Sequence, residues 1–286
     1  MSTATPRSPD PPDDDAVDGD LLHRVEHGVS WITLNRPDSG NALTPDQRNA
    51  IIDHLDDASG DLAVRAVVLT ASGGKAFCTG ADLRIDRPER YPLPEGAPER
   101  PAGAVARTCV GAQRLIATIQ DCEKPVIAAV NGTAAGIGAH IAFASDLVLA
   151  ADTARFIEVF VRRGIIPDGG GAYLLTRLVG PQKAKELIFF GDDLPAADAA
   201  AMGLVNRVVP AAKLADTARA WAERLASGPT PAIGLSKWLV NRALESDRVT
   251  AFGDERMAQE IAMASADAAE GLASFAERRA AEFTGW

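Results

Sequence analysis

An α/β fold is predicted for this chain from three observations. Short β-branched runs alternate with helical patterns, glycine turns separate them, and the pattern becomes helical after residue 180. "VSWITLN" (29–35) alternates and reads as a strand. "NALTPDQ" then opens a helix, with Thr44 as N-cap, Pro45 at the first helical position and Gln47 as the reciprocal capping-box partner. "VRAVVLTA" (64–71), "PVIAAV" (125–130) and "DLVLAA" (146–151) are apolar runs suited to buried strands. Strands that alternate with helices need crossover connections. The proline-rich stretch 85–103 cannot be a regular helix throughout and is long for a plain connection. It reads equally as a mobile loop beside a site and as a surface insertion. Further on, Leu214, Ala218, Trp221 and Leu225 share one helical face, and 231–245, 248–266 and 268–281 continue as helices. Their apolar stripes read as core packing. No solenoid-type repeat is present.

Composition narrows the class. The chain has 286 residues, 47% of them hydrophobic, enough for a sizeable core. A net charge of −10 argues against nucleic acid and against an anionic membrane surface as partners. The three cysteines, Cys78, Cys109 and Cys122, fit no zinc spacing and suggest a reducing compartment. No apolar run reaches the length of about 18 residues that a span requires. No signal-peptide pattern opens the chain. A cytoplasmic protein is expected. The organisation is read as an acidic, proline-rich disordered tail (1–20), a core (21–210) and a C-terminal helical region (211–286).

The stretch "NGTAAGIGAHIAFASDL" (131–147) carries glycines at 132, 136 and 138 ahead of an apolar helix, a turn that presents backbone N–H groups to negative charge. A dinucleotide fingerprint fails because Ile141 stands where the third glycine belongs. A P-loop fails at "SGGKAF", where Leu69 replaces the first glycine and Ala76 the Ser/Thr. No G-x-S-x-G elbow occurs. His23 and His27 in "HRVEH" fit a strand or loop surface better than a metal site, and no metal is expected. A second turn, "GGKAFCTGADL" (73–83), also follows a strand and offers its own N–H groups. Two donors from separate turns suit a thioester oxygen that becomes an enolate.

With these segments in view, the chain resembles the crotonase (enoyl-CoA hydratase/isomerase) superfamily from about residue 21 to 286. The resemblance rests on "LNRPDSGNAL", "GGKAFCTGADL", "KPVIAAVNGTAAGIGAHIAFASDLVLAA", "GIIPDGGGAYLLTRLVG", "AAMGLVNRVVP" and the closing "EGLASFAERRAAEFTG". It implies a spiral of ββα units followed by helices that build a homotrimer or a dimer of trimers. It implies an acyl-CoA thioester substrate and no cofactor beyond the CoA that the substrate carries. By position it makes the backbone N–H groups of Ala81 and Ile137 the oxyanion donors. Ala42, Asp82, Leu83, Gly136, His140 and Phe160 become substrate-site positions.

The resemblance also exposes departures. Hydratases carry glutamates at the positions of His140 and Phe160, and here Glu158 lies two residues off the second. Asp168, in "GIIPDGG", matches the aspartate that dienoyl-CoA isomerases use to move protons, and the pattern is similar to ring-1,2-epoxyphenylacetyl-CoA isomerases. Asp168 therefore has two readings, acid/base or N-cap of the next helix. Its neighbours Ile165, Ile166 and Phe160 predict a dry pocket. His140 is either substrate-facing or packed in the core. Asp82 and Asp146 are expected to hold loops. Arg278 and Arg279 either meet CoA phosphates or are solvated. The expected function is acyl-CoA isomerisation. The alternatives are another crotonase reaction (atypical hydration, thioester hydrolysis or decarboxylation) and a non-catalytic acyl-CoA binding subunit.

Overall fold

The computed structural model describes residues 19–84, 96 and 104–286. Nearly all of the tail and most of the 85–103 stretch lie outside the described residues. In chain order the elements are β1 (Leu21–Glu26), β2 (Val29–Leu34), α1 (Pro45–Gly60), β3 (Ala66–Ala71), β4 (Ala76–Cys78), α2 (Ala104–Asp121), β5 (Val126–Val130), β6 (Thr133–Ala135), α3 (Ile137–Ala144), β7 (Leu147–Ala151), β8 (Arg155–Ile157), α4 (Gly171–Phe190), β9 (Leu194–Pro195), α5 (Ala196–Ala201), β10 (Arg207–Val209), α6 (Leu214–Ala226), α7 (Thr230–Ala243), α8 (Arg248–Met263) and α9 (Ala266–Glu277). The capping box at Thr44 forms as the sequence predicts, with Gln47 N–H on Thr44 Oγ1 and Thr44 N–H on Gln47 Oε1, both at 3.1 Å.

Two sheets divide the strands. The larger has the order β1-β2-β3-β5-β7-β10, the smaller β4-β6-β8-β9. The successive pairs β3/β4, β5/β6 and β7/β8 each place one strand in each sheet, in parallel. Helices α2 and α3 follow the first two pairs and α4 follows the third. This is a spiral of ββα turns, and the expected α/β class holds. The long apolar strands were legible in the sequence. The three-residue strands of the smaller sheet are too short to display any periodicity.

The core lies between the larger sheet and its covering helices, with Leu55, Leu115, Ile119, Ile127 and Leu149 fully enclosed. Leu214, Ala218, Ala222 and Ala226 of α6 are buried in this same core. The boundary read at 211 therefore does not separate two packing units at α6. Only α7 to α9 stand mostly clear of the core. One anchor is Lys237 on α7, whose ammonium meets Asp146 at 2.8 Å and donates to the carbonyls of Ile119 and Lys124. Asp146 also accepts the Val126 N–H at 2.7 Å, as its loop-holding reading required. Burial pushes the Asp146 carboxyl up, and the lysine pulls it back down. Removing one partner strands the other in low dielectric. Lys237→Met is therefore expected to cost about 3 kcal/mol in urea unfolding. A loss within experimental error would show that the pair is solvated in solution.

Among the described residues, no helix is long and apolar enough to cross a membrane.

Candidate active site

Two turns of the spiral converge beside the smaller sheet. The first follows β4. There Leu43 N–H donates to the Gly80 carbonyl at 2.8 Å, and Asp82 N–H donates to the Leu43 carbonyl at 2.9 Å. In such a parallel bridge the residue between those two partners turns its own amide the other way. The Ala81 N–H thus faces away from Leu43. The second turn follows β6. Gly136 has φ +56 and ψ −123, a conformation that favours glycine, and its N–H is taken by the Ile157 carbonyl at 2.9 Å. Ile137 is then the first residue of α3, where an amide has no intrahelical partner.

Close packing brings the two turns together. A Cβ on Gly136 would lie 3.9 Å from Gly80 Cα, and one on Gly138 would lie 2.2 Å from the Cys78 carbonyl oxygen. No side chain larger than hydrogen fits at 138, so the second and third glycines of the 131–147 stretch seat α3 directly on β4. Side-chain hydrogen bonds set the rim. Asn41 donates to the carbonyls of Ser72 and Ala76 and accepts the Arg36 N–H, which fastens the 36–43 loop to the first turn.

The substrate-site positions named from the resemblance fall into three surroundings. Ala42 is buried and its carbonyl accepts Arg36 Nη1 at 2.8 Å. Asp82 is also buried, held by Arg84 and by Arg36 Nη1 at 3.0 Å. The Arg84 side chain and amide hold its carboxyl far below the usual carboxylate range. Asp82 therefore holds the loop, as expected, with its oxygens already occupied. Ala81 and Leu83 are exposed beside it, Leu83 at 68%.

His140 and Phe160 lie deeper. His140 is wholly buried, and its Nε2 sits 3.2 Å from each carboxylate oxygen of Glu158, itself only 4% exposed. The Phe160 ring stacks on the imidazole with centroids 5.3 Å apart. Of the two readings for His140, the packed one describes this arrangement. Glu158 was the residue that sequence reasoning passed over. It had a signal, because a lone carboxylate in "RFIEVF" and a lone imidazole in "IGAHIAFA" each need a buried partner.

Asp168 stands on the loop before α4. The capping reading is not realised, since the N-cap is Gly170 and no side chain caps α4. The carboxylate instead accepts the Cys109 thiol of α2 at 3.8 Å. Burial, and then the Asp168 charge, push that thiol up. No pattern in the sequence linked Cys109 to this site. The glycines after Asp168 press against α3. A Cβ on Gly169 would meet Ile137 Cδ1 at 2.6 Å, and one on Gly171 would meet His140 Nε2 at 2.2 Å. The dry pocket expected around Asp168 is only partly present. Phe160 is buried, but Ile165 and Ile166 are exposed, Ile166 at 78%. The remaining candidates are engaged elsewhere. Arg279 is bound by Glu270 and Glu277, His23 stacks on His54, and His27 meets Glu223.

A ββα spiral whose turns after β4 and β6 pack together, with the Asp168 turn against the Ile137 side chain, is the crotonase class of architecture. The enoyl-CoA hydratase/isomerase family model matches residues 24–286, and the chain belongs to that family. It is 37% identical over 265 residues to the 1,2-epoxyphenylacetyl-CoA isomerase of Escherichia coli strain K12, across 93% of this chain and 98% of that protein. It is 36% identical over 262 residues to a short-chain-enoyl-CoA hydratase of Clostridium acetobutylicum, across 92% and 96%. The crystal structure of an enoyl-CoA hydratase from Bacillus anthracis superposes with a TM-score of 0.84 at 32% identity, covering 94% of this chain and 100% of that one.

Proposed function

We propose that this family member is an acyl-CoA isomerase in which Asp168 moves the proton. The observation that carries the reading is the Asp168 carboxylate, free of any capping duty, on a turn that touches Ile137. The α C–H bond of a β,γ-unsaturated acyl group breaks and its proton passes to the Asp168 carboxylate. The electron pair moves onto the thioester oxygen, and the Ala81 and Ile137 N–H groups stabilise the enolate. Return of the proton from Asp168 to the γ carbon shifts the double bond. Side chains and amides suffice for this step, and the CoA belongs to the substrate. The working compartment is the cytoplasm.

The test needs no knowledge of the natural acyl group. Phenylacetyl-CoA in D2O should exchange its α-protons on adding the protein, read by NMR. CoA binding without exchange would favour a non-catalytic acyl-CoA binder. The relatives include both isomerases and hydratases, and crotonyl-CoA separates those two reactions.

The acting form is a homotrimer or a dimer of trimers. Val240, Val249, Met257 and Phe275 on α7, α8 and α9 are all more than half exposed in the single chain. Closed cyclic assembly would cover such apolar faces. Light scattering at micromolar concentration should give three or six times the chain mass. A monomer mass would overturn this.

A further inference from the structure

The least economical feature of the site is an imidazole where a phenyl ring would pack as well. His140 is enclosed by Phe160 on one face and by the 169–171 turn on its edge. Filling that volume needs no polar atom. Yet Nε2 engages a second buried polar group, Glu158, while Nδ1 is buried with no hydrogen-bond partner among the described residues. Buried polar atoms are disfavoured unless paired, so an orphan acceptor beside a reactive turn calls for a reason beyond packing.

The surroundings supply one. With Nε2–H donating to the Glu158 carboxylate, Nδ1 is left as an acceptor. It lies 3.0 Å from where a Cβ of Gly169 would be, and Gly169 directly follows Asp168. Gly171 brings its Cα against the same ring. His140 belongs to α3, three residues beyond Ile137, and its backbone N–H donates to the Gly136 carbonyl at 3.1 Å. His140 is therefore wedged between the helix that carries one oxyanion amide and the turn that carries the base. Its tilt sets the separation of those two elements, and Glu158 fixes that tilt through two equal contacts.

We propose that His140, oriented by Glu158, is the positioning residue that holds the Asp168 turn in register with the Ile137 amide. Its Nδ1 is the acceptor for a backbone N–H of the 169–171 turn once acyl-CoA is bound. The inference rests on the isomerase reading above. It differs from a packing role in what it affects. A positioning residue changes the rate of proton removal, whereas a packing residue changes stability alone.

The experiment measures α-proton exchange at saturating phenylacetyl-CoA, its Kd by calorimetry, and Tm. Misplacing a reacting group by about 1 Å can cost about 10²-fold. His140→Phe keeps the stacked ring and removes both nitrogens. It is expected to slow exchange by about 10- to 100-fold with Kd within about threefold of wild type. Glu158→Leu should match it, and Glu158→Gln, which still accepts from Nε2–H, should recover most of the lost rate. If His140→Phe does not fold, the Glu158 pair of variants decides. Wild-type exchange rates in His140→Phe or Glu158→Leu, whatever their Tm, overturn the proposal. So does a Glu158→Gln rate as low as that of Glu158→Leu. A wild type that exchanges, with a slow Asp168→Asn and unaffected His140 and Glu158 variants, removes this inference and leaves the isomerase reading standing. A wild type that exchanges nothing removes both.

Discussion

Asp168→Asn is expected to bind acyl-CoA as the wild type does and to lose α-proton exchange by at least about 10²-fold. Asparagine has the shape of aspartate and still accepts a hydrogen bond, so the Cys109 contact at 3.8 Å can persist. What it lacks is the basic oxygen. The thioester α-proton is removed only when base and oxyanion donors act together. Ala81 and Ile137 offer amides rather than side chains, and these survive the substitution. The variant thus separates the two halves of the machinery. The lost fraction of exchange reports the carboxylate. Helix α4 begins from Gly170 without a side-chain cap, so the change should leave Tm nearly untouched. Exchange at the wild-type rate would show that another group is the base. A large fall in Tm would show that Asp168 is structural after all.

The two halves of this site differed in how far the sequence disclosed them. The amides were legible because their position depends on glycine. Gly136 needs a positive φ and Gly138 needs contact with the Cys78 carbonyl, and both demands leave glycines in the sequence. The central strands β2, β3, β5 and β7 of the larger sheet were legible because they are largely buried apolar runs, whereas the more exposed β1 and β10 left no such run. The pair His140–Glu158 was only half legible. Each residue is an isolated polar group in an apolar segment, which predicts a partner without naming it. The three glycines after Asp168 were visible, but their reason was not. Two of them make room for an imidazole that belongs to another helix. The Cys109–Asp168 contact joins α2 to a loop far along the chain, and a thiol in a helix carries no local pattern. The smaller sheet escaped for a different reason. Strands such as "AFC", "TAA" and "RFI" are too short for alternation, and pairing alone defines them.

The second large effect concerns water. Crotonyl-CoA hydration by this protein is expected to run at least about 10²-fold below an efficient hydratase, since each missing acid/base group typically costs about 10²–10⁴-fold. Syn addition needs two groups that hold one water and move its protons, both open to the acyl cavity. At the two positions where the resemblance places the glutamates of hydratases, this chain has an imidazole and a phenyl ring stacked on each other. Glu158 does not substitute for the missing pair. Both of its oxygens are 3.2 Å from His140 Nε2, and it is almost wholly enclosed. Offering a carboxylate oxygen to water would require breaking that contact. The loss of crotonyl-CoA absorbance on adding the protein measures the rate directly. A rate equal to that of an efficient hydratase would place a working acid/base pair in the cleft. The His140–Glu158 unit would then have to open to water during turnover, and the enzyme would be a hydratase built on an imidazole and a carboxylate.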